Sequence, residues 1–148
     1  IFDPGQGLPM FDGQDLLRFI DQASYVAVND YEAEMLSSRT GLSLSQIAQQ
    51  VEALIVTKGA QGAEIHTNGR VIQIPAVPVE QAIDPTGCGD AFRGGLLYGL
   101  EQDFDWETTG RLASLMGSIK IASQGPQNHE PGSQQIKDLF QAAFQYAF

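Results

Sequence analysis

The chain has 148 residues, a length for about one domain on the usual scale of roughly 100–200 residues each, with material for one sizeable core. With 43% hydrophobic and 18% charged residues it has a globular composition, and no stretch approaches the roughly 18 consecutive apolar residues of a membrane span, so fibrous and membrane-spanning classes drop out. Eighteen acidic against eight basic side chains leave a formal charge of -10; such a surface repels nucleic acid and anionic lipid, and a bound polyanion must rely on local positive features.

Residues 1–3 read as the end of an apolar strand stopped by Pro4-Gly5. From Asp12 the spacing turns helical, with Leu16, Leu17 and Ile20 on one face, and Tyr25–Asn29 follows as a short buried strand. Asp30 is expected to cap a helix over 31–38, and Ser43 to cap another carrying Leu44, Ile47, Ala48 and Val51. Ala53–Thr57 is an apolar run suited to burial on both faces of a parallel sheet. After a turn at 59–62, Asn68-Gly69 joins Ala63–Thr67 to Arg70–Ile74 as an antiparallel hairpin. The segment 84–90 leads into a helix through Leu100, in which Phe92, Leu96 and Leu97 read as core and Gly94-Gly95 as a close approach to the sheet. A second long helix is expected over 106–123, a polar loop over 124–132, and an amphipathic helix over 134–148. Strands alternating with helices argue for an α/β layered sheet.

The single cysteine, Cys88, excludes an intramolecular disulfide and a multi-cysteine metal site, which fits a reducing, cytoplasmic location. His66 and His129 lack metal-ligand spacing, and His129 reads as loop surface. No signal-peptide pattern is visible, and the opening Ile-Phe-Asp-Pro raises the expectation that the sequence is a piece of something longer.

The most informative stretch is 84–95. Gly87, Cys88 and Gly89, followed by Asp90, sit where a loop becomes a helix N-terminus, so several backbone N–H groups can converge on an anion. Asp90 beside that point makes sense as a base that accepts a hydroxyl proton during phosphoryl transfer. On spacing alone, an ordinary glycine loop with Asp90 as a helix cap fits equally well. No G-x-x-x-x-G-K-[ST] occurs, and Phe92 stands where a dinucleotide fingerprint needs its third glycine, which weighs against a nicotinamide-dependent oxidoreductase.

The run Asp-Pro-Thr-Gly-Cys-Gly-Asp-Ala-Phe-Arg-Gly-Gly over 84–95 resembles the signature of the ribokinase-like (PfkB) carbohydrate and nucleoside kinases, Asp-Thr-x-Gly-Ala-Gly-Asp-x-Phe-x-x-Gly. Asn29 and Glu32 match that family's Asn-x-x-Glu element, Thr57, Gly59 and Gly62 its Thr-x-Gly-x-x-Gly turn, and 125–131 resembles its late loop at the adenine pocket. The resemblance implies a three-layer α/β/α fold with a mixed sheet and hairpin. Residues 1–148 would be its C-terminal nucleotide-binding and catalytic part, without the N-terminal half and lid. It further implies transfer of the γ-phosphoryl group of ATP to a hydroxymethyl group of a sugar or nucleoside. The flanks Pro85-Thr86 and Phe92-Arg93 look like the adenosine kinase-like branch.

In that reading Asp90 is the base, and the amides of Gly87, Cys88 and Gly89 hold the developing charge. Asp84 and Asp90 meet the acceptor, and Arg93 meets phosphate. Asn29, Thr57, Lys58, Gly59, Gly62, Gln127 and Asn128 bind nucleotide. Mg2+ would be met by Glu32 and Asn29 through water, and K+ by Asp84 with backbone carbonyls. Several positions carry a second reading: Cys88 as a thiol made reactive by the helix N-terminus or as a small residue whose backbone N–H alone matters, Lys58 and Arg93 as solvated cations, and Glu32 as a first-turn acid favoured by the helix dipole. Pro85 in place of threonine removes a hydroxyl and an N–H while keeping the carbonyl, which leaves the K+ site open. Expected partners are ATP, a small sugar or nucleoside, and a second copy or a separate N-terminal piece of the same protein, with no nucleic acid and no membrane. The rival is a non-catalytic nucleotide-binding fragment or module that lacks the acceptor site.

Overall fold

A computed structural model describes residues 1–148, which divide into two compact units, Ile1–Gln73 and Ile74–Phe148. The first unit is organised by a four-stranded sheet in the order β1-β2-β3-β4, comprising β1 (Tyr25–Asn29), β2 (Ala53–Thr57), β3 (Ala63–Thr67) and β4 (Arg70–Ile74). Strands β1 and β2 are parallel, in a register running from Tyr25 opposite Ala53 to Asn29 opposite Thr57, whereas β2 and β3 are antiparallel. Parallel pairing needs a long crossover, supplied by α2 (Asp30–Thr40) and α3 (Leu44–Ala48). The β3–β4 turn has both Asn68 (φ 49) and Gly69 (φ 72) left-handed, the geometry of the tightest hairpins and the reason Asn-Gly stands there.

Alternation along the strands decides the core. Val26 and Val28 of β1 and Leu54 and Val56 of β2 share one face and pack with Leu16 and Ile20 of α1 (Gly13–Gln22), Ala33 and Leu36 of α2, and Ile47 of α3. Ala27 and Ile55, on the other face, are buried as well, which is why both strands read as continuous apolar runs. The expected strand end at the start of the chain is present as a bridge: Phe2 lies parallel to Val26 and donates its N–H to the Tyr25 carbonyl at 2.8 Å. Pro4-Gly5, expected as a helix-free turn pair, instead leads straight into a 3-10 helix, Gly5–Met10, anchored by the fully buried Leu8.

The cap of α2 corrects the sequence reading. Asn29, not Asp30, is the N-cap, because Asn29 keeps the extended backbone of β1 (φ -85, ψ 176) while Asp30 is already helical. The Asn29 side chain accepts the Glu32 N–H at 2.7 Å and the Glu32 carboxylate accepts the Asn29 N–H at 2.9 Å, a complete capping box. Ser43 caps α3 as expected, but that helix ends at Ala48 and does not reach Val51.

The second unit holds three helices, α4 (Cys88–Glu101), α5 (Trp106–Ile121) and α6 (Ser133–Phe144). Gly95 is where α4 meets α5: a Cβ there would lie 2.7 Å from the Ala113 Cα. The close approach is thus made to a helix, not to the sheet, and Gly94 faces open space. Leu97, expected in the core, is 54% exposed because the inward face of α4 is carried by Phe92, Gly95, Leu96 and Gly99. Helix α6 stops at Phe144, four residues before the expected end. Gln145 turns left-handed (φ 65), and the chain folds back so that Tyr146 and Phe148 pack edge-on against Phe140 at 5.1 and 4.7 Å between ring centroids. None of the helices is long and apolar enough to cross a membrane.

Candidate active site

The sequence-predicted residues fall into two sets, one in each unit. In the first unit, Asn29 and Thr57 are direct neighbours across β1 and β2, at the carboxyl ends of two parallel strands. That edge is where open α/β sheets present their ligand sites. Lys58 and the turn Gly59–Gln61 follow immediately, with Gly59 (φ 55) and Gly62 (φ 88) both in backbone conformations that side chains resist. The Lys58 ammonium is paired with Glu64 on β3. This pairing, with the amide of Gln73 and the ring of His66, holds the Glu64 carboxyl below the usual carboxylate range. Lys58 is therefore neither a free point charge nor a solvated cation.

For Mg2+, the donor set allows only a modest role. The Asn29 oxygen and one Glu32 oxygen are already engaged in the capping box, Glu32 is 8% exposed, and no cluster of three or more His, Cys, Asp or Glu side chains exists to hold a metal. One remaining Glu32 oxygen suits an ordered water more than a direct bond to the ion, which is how Mg2+ is commonly held when phosphates supply its main ligands.

In the second unit the phosphate-loop candidate is built around Asp84. Its Oδ1 accepts the Thr86 N–H at 2.9 Å, and its Oδ2 accepts the Gly125 N–H at 2.8 Å and the Gln124 side-chain amide at 3.1 Å. These donors, the Thr86 N–H foremost, pull the Asp84 carboxyl down to about 2. Asp84 thus clamps its own loop to the 124–128 loop, in which the Asn128 amide donates to the Gln124 carbonyl at 2.9 Å. Gln127 and Asn128 are exposed beyond that clamp.

Gly87 sits at the N-cap of α4 with φ 84, and a Cβ there would meet the Pro126 carbonyl oxygen at 2.7 Å, so both conformation and space require glycine. Among the three amides expected to face an anion, that of Cys88 is occupied: it donates to the Pro85 carbonyl at 3.1 Å. The open donors at the head of α4 are the N–H groups of Gly87, Gly89 and Asp90, where the helix dipole adds to them. Burial pushes the Cys88 thiol up, with the Asp84 charge adding to it, against a partial offset from Lys120; the reading of this residue as an idle small side chain gains and that of a reactive thiol loses. The Asp90 carboxylate stands exposed on the first turn, and Arg93 lies one turn further along.

Lys120 was not among the predicted site residues. It is fully buried in the last turn of α5, and its Nζ donates to the Asp84 carbonyl at 2.8 Å and the Ser123 carbonyl at 3.0 Å. The signal available was one cation set among the apolar and small residues of 115–122. That arrangement fits a K+ site at Asp84 poorly, since the carbonyl oxygen already accepts from the Lys120 ammonium, whose charge would repel a second cation, and both carboxylate oxygens are taken by N–H donors. An apolar cavity of about 360 Å³, lined by Gly94, Tyr98, Leu112, Met116 and Ile136 among others, contains none of the predicted site residues.

Residues 2–132 match the description of the pfkB family carbohydrate kinases. The chain belongs to the pfkB family. Among family relatives, the nucleoside kinase of Methanocaldococcus jannaschii is 35% identical over 130 residues, covering 88% of this chain and 43% of that protein. Its crystal structure, described as an archaeal member of the ribokinase family, superposes with a TM-score of 0.91 at 32% identity over 95% of this chain and 47% of that one. The Burkholderia thailandensis nucleoside kinase in complex with inosine is 58% identical, with a TM-score of 0.98 over 99% of this chain and 48% of that one. The same enzyme has been solved with ADP-inosine, at 59% identity and a TM-score of 0.97 over 99% of this chain and 46% of that one. The chain thus spans about half the length of the pfkB relatives it matches, and its α/β architecture is that of the ribokinase-like fold.

Proposed function

We propose that the protein carrying this chain is an ATP-dependent nucleoside kinase that phosphorylates the hydroxymethyl group of a purine nucleoside, in the cytoplasm. The observation that supports this reading most is the 58% identity and near-superposition with a nucleoside kinase solved with inosine. The chemistry of the Gly87–Asp90 segment agrees with it. Asp90 takes the hydroxyl proton, the oxygen so released attacks the γ-phosphorus, and ADP departs. The amides of Gly87, Gly89 and Asp90 receive the charge on the transferred group, an effect worth roughly 3–4 kcal/mol per preorganised donor in other enzymes. Mg2+ would offset the negative charge of the nucleotide's phosphates, and Glu32 with Asn29 would hold it through ordered water.

The acceptor class is tested by offering the purified protein ATP with inosine, adenosine, ribose, fructose and fructose 6-phosphate. Purine nucleosides should exceed each sugar at least tenfold in kcat/KM, about 1.4 kcal/mol of transition-state discrimination. Within the nucleosides, the adenosine-like flanks Pro85-Thr86 and Phe92-Arg93 weigh toward adenosine. A tenfold preference for any sugar overturns the nucleoside reading. ADP binding without turnover on all five acceptors would favour the non-catalytic module.

A further inference from the structure

The buried ammonium of Lys120 joins the two loops on which the head of α4 rests. On one side it holds the carbonyl of Asp84, three residues before the N-cap Gly87; on the other it holds the carbonyl of Ser123, next to Gln124 and Gly125, which in turn donate to the Asp84 carboxylate. A single positive charge, shielded from water, therefore compensates two converging backbone dipoles and one carboxylate. An ammonium group and a potassium ion are similar in size and carry the same charge, and both are satisfied by carbonyl oxygens.

Resting on the kinase reading above, we propose that the Lys120 ammonium is a tethered cation that takes the place of a monovalent metal ion at Asp84, so that this protein binds nucleotide and turns over without K+. Lys120 is a positioning residue: it touches no reacting atom and acts by fixing the Asp84 loop and, through it, the amides of Gly87, Gly89 and Asp90.

The test compares potassium with tetramethylammonium chloride at constant ionic strength, reading ADP affinity by calorimetry, thermal midpoint, and kcat where turnover is found. Wild type should give ADP affinity and kcat within twofold in the two salts and the same thermal midpoint. Lys120→Ala, which removes the charge and opens space for an ion, should lose at least tenfold in ADP affinity or kcat and regain part of it as K+ or NH4+ is raised. Tenfold or greater stimulation of the wild type by K+ overturns the proposal, as does a folded Lys120→Ala protein that shows no loss or a loss that no cation relieves. If Lys120→Ala does not fold, the wild-type comparison decides alone. Because ADP affinity and thermal midpoint need no acceptor, the proposal stands or falls separately from the nucleoside assignment.

Discussion

Asp84 accepts from three N–H donors, and protonation of the carboxylate removes the charge that strengthens all of them. Its folded pKa of about 2 lies below the ordinary aspartate value of 3.8, so the unfolded chain binds the proton more readily. The stabilisation is therefore complete above about pH 4 and lost as pH falls from there through about 2. Asp84→Asn should be less stable than wild type by a constant difference at pH 5–8, and denaturant melts should show that difference shrinking below about pH 4. A difference that stays constant down to pH 2.5 would assign the effect to shape. Asp90 is the contrasting carboxylate, exposed at the head of α4. Asp90→Asn keeps its size and removes its basicity, so kcat should fall by about 10²–10⁴ while ADP affinity, held by the neighbouring amides, stays within threefold. Retention of kcat within threefold would remove Asp90 from proton transfer.

At the scale of elements, the α4–α5 contact depends on glycine for space. A Cβ at Gly95 would sit 2.7 Å from the Ala113 Cα and 3.0 Å from its backbone nitrogen, and neither can yield without moving α5. Gly95→Ala should destabilise by about 1–3 kcal/mol in chemical denaturation, the usual cost of overpacking. Gly94, its exposed neighbour in open space, provides the opposite sign: Gly94→Ala should stabilise by about 0.4–1 kcal/mol by restricting the unfolded chain. The sequence signalled only that two small residues stood together. Which of them faced a partner depended on helix phase and on where α5 lay, neither of which a local pattern contains.

For the whole chain, the elements legible in the sequence were those whose periodicity is set by burial: the strands at 25–29, 53–57, 63–67 and 70–74, and the helix beginnings marked by Asp12 and Ser43. Helix ends were less legible, because Val51 and the last four residues are held by tertiary packing that overrides a continuing apolar pattern. The motif residues were legible as a set, but the hydrogen bonds that decide their roles were not. Nothing in Gly-Cys-Gly says that Pro85 occupies the middle amide, and nothing near Asp84 in sequence points to a lysine 36 residues later.

The register of β1 on β2 also limits how the chain can vary in length. Asn29 and Thr57 end paired strands, and each is followed at once by the turn or helix that carries the next motif residue. Side chains alternate faces with a period of two, so deleting one residue from 25–28 would turn Asn29 to the opposite face as well as shortening the strand by about 3.3 Å. Such a deletion should abolish nucleotide binding even if the strand still pairs. The connection between α2 and α3, at 41–43, enters no such register, and residues inserted there should be accepted with little loss of stability. Descendants of this sequence are therefore free to change size along their crossovers, while the strands that carry Asn29 and Thr57 are held to one length.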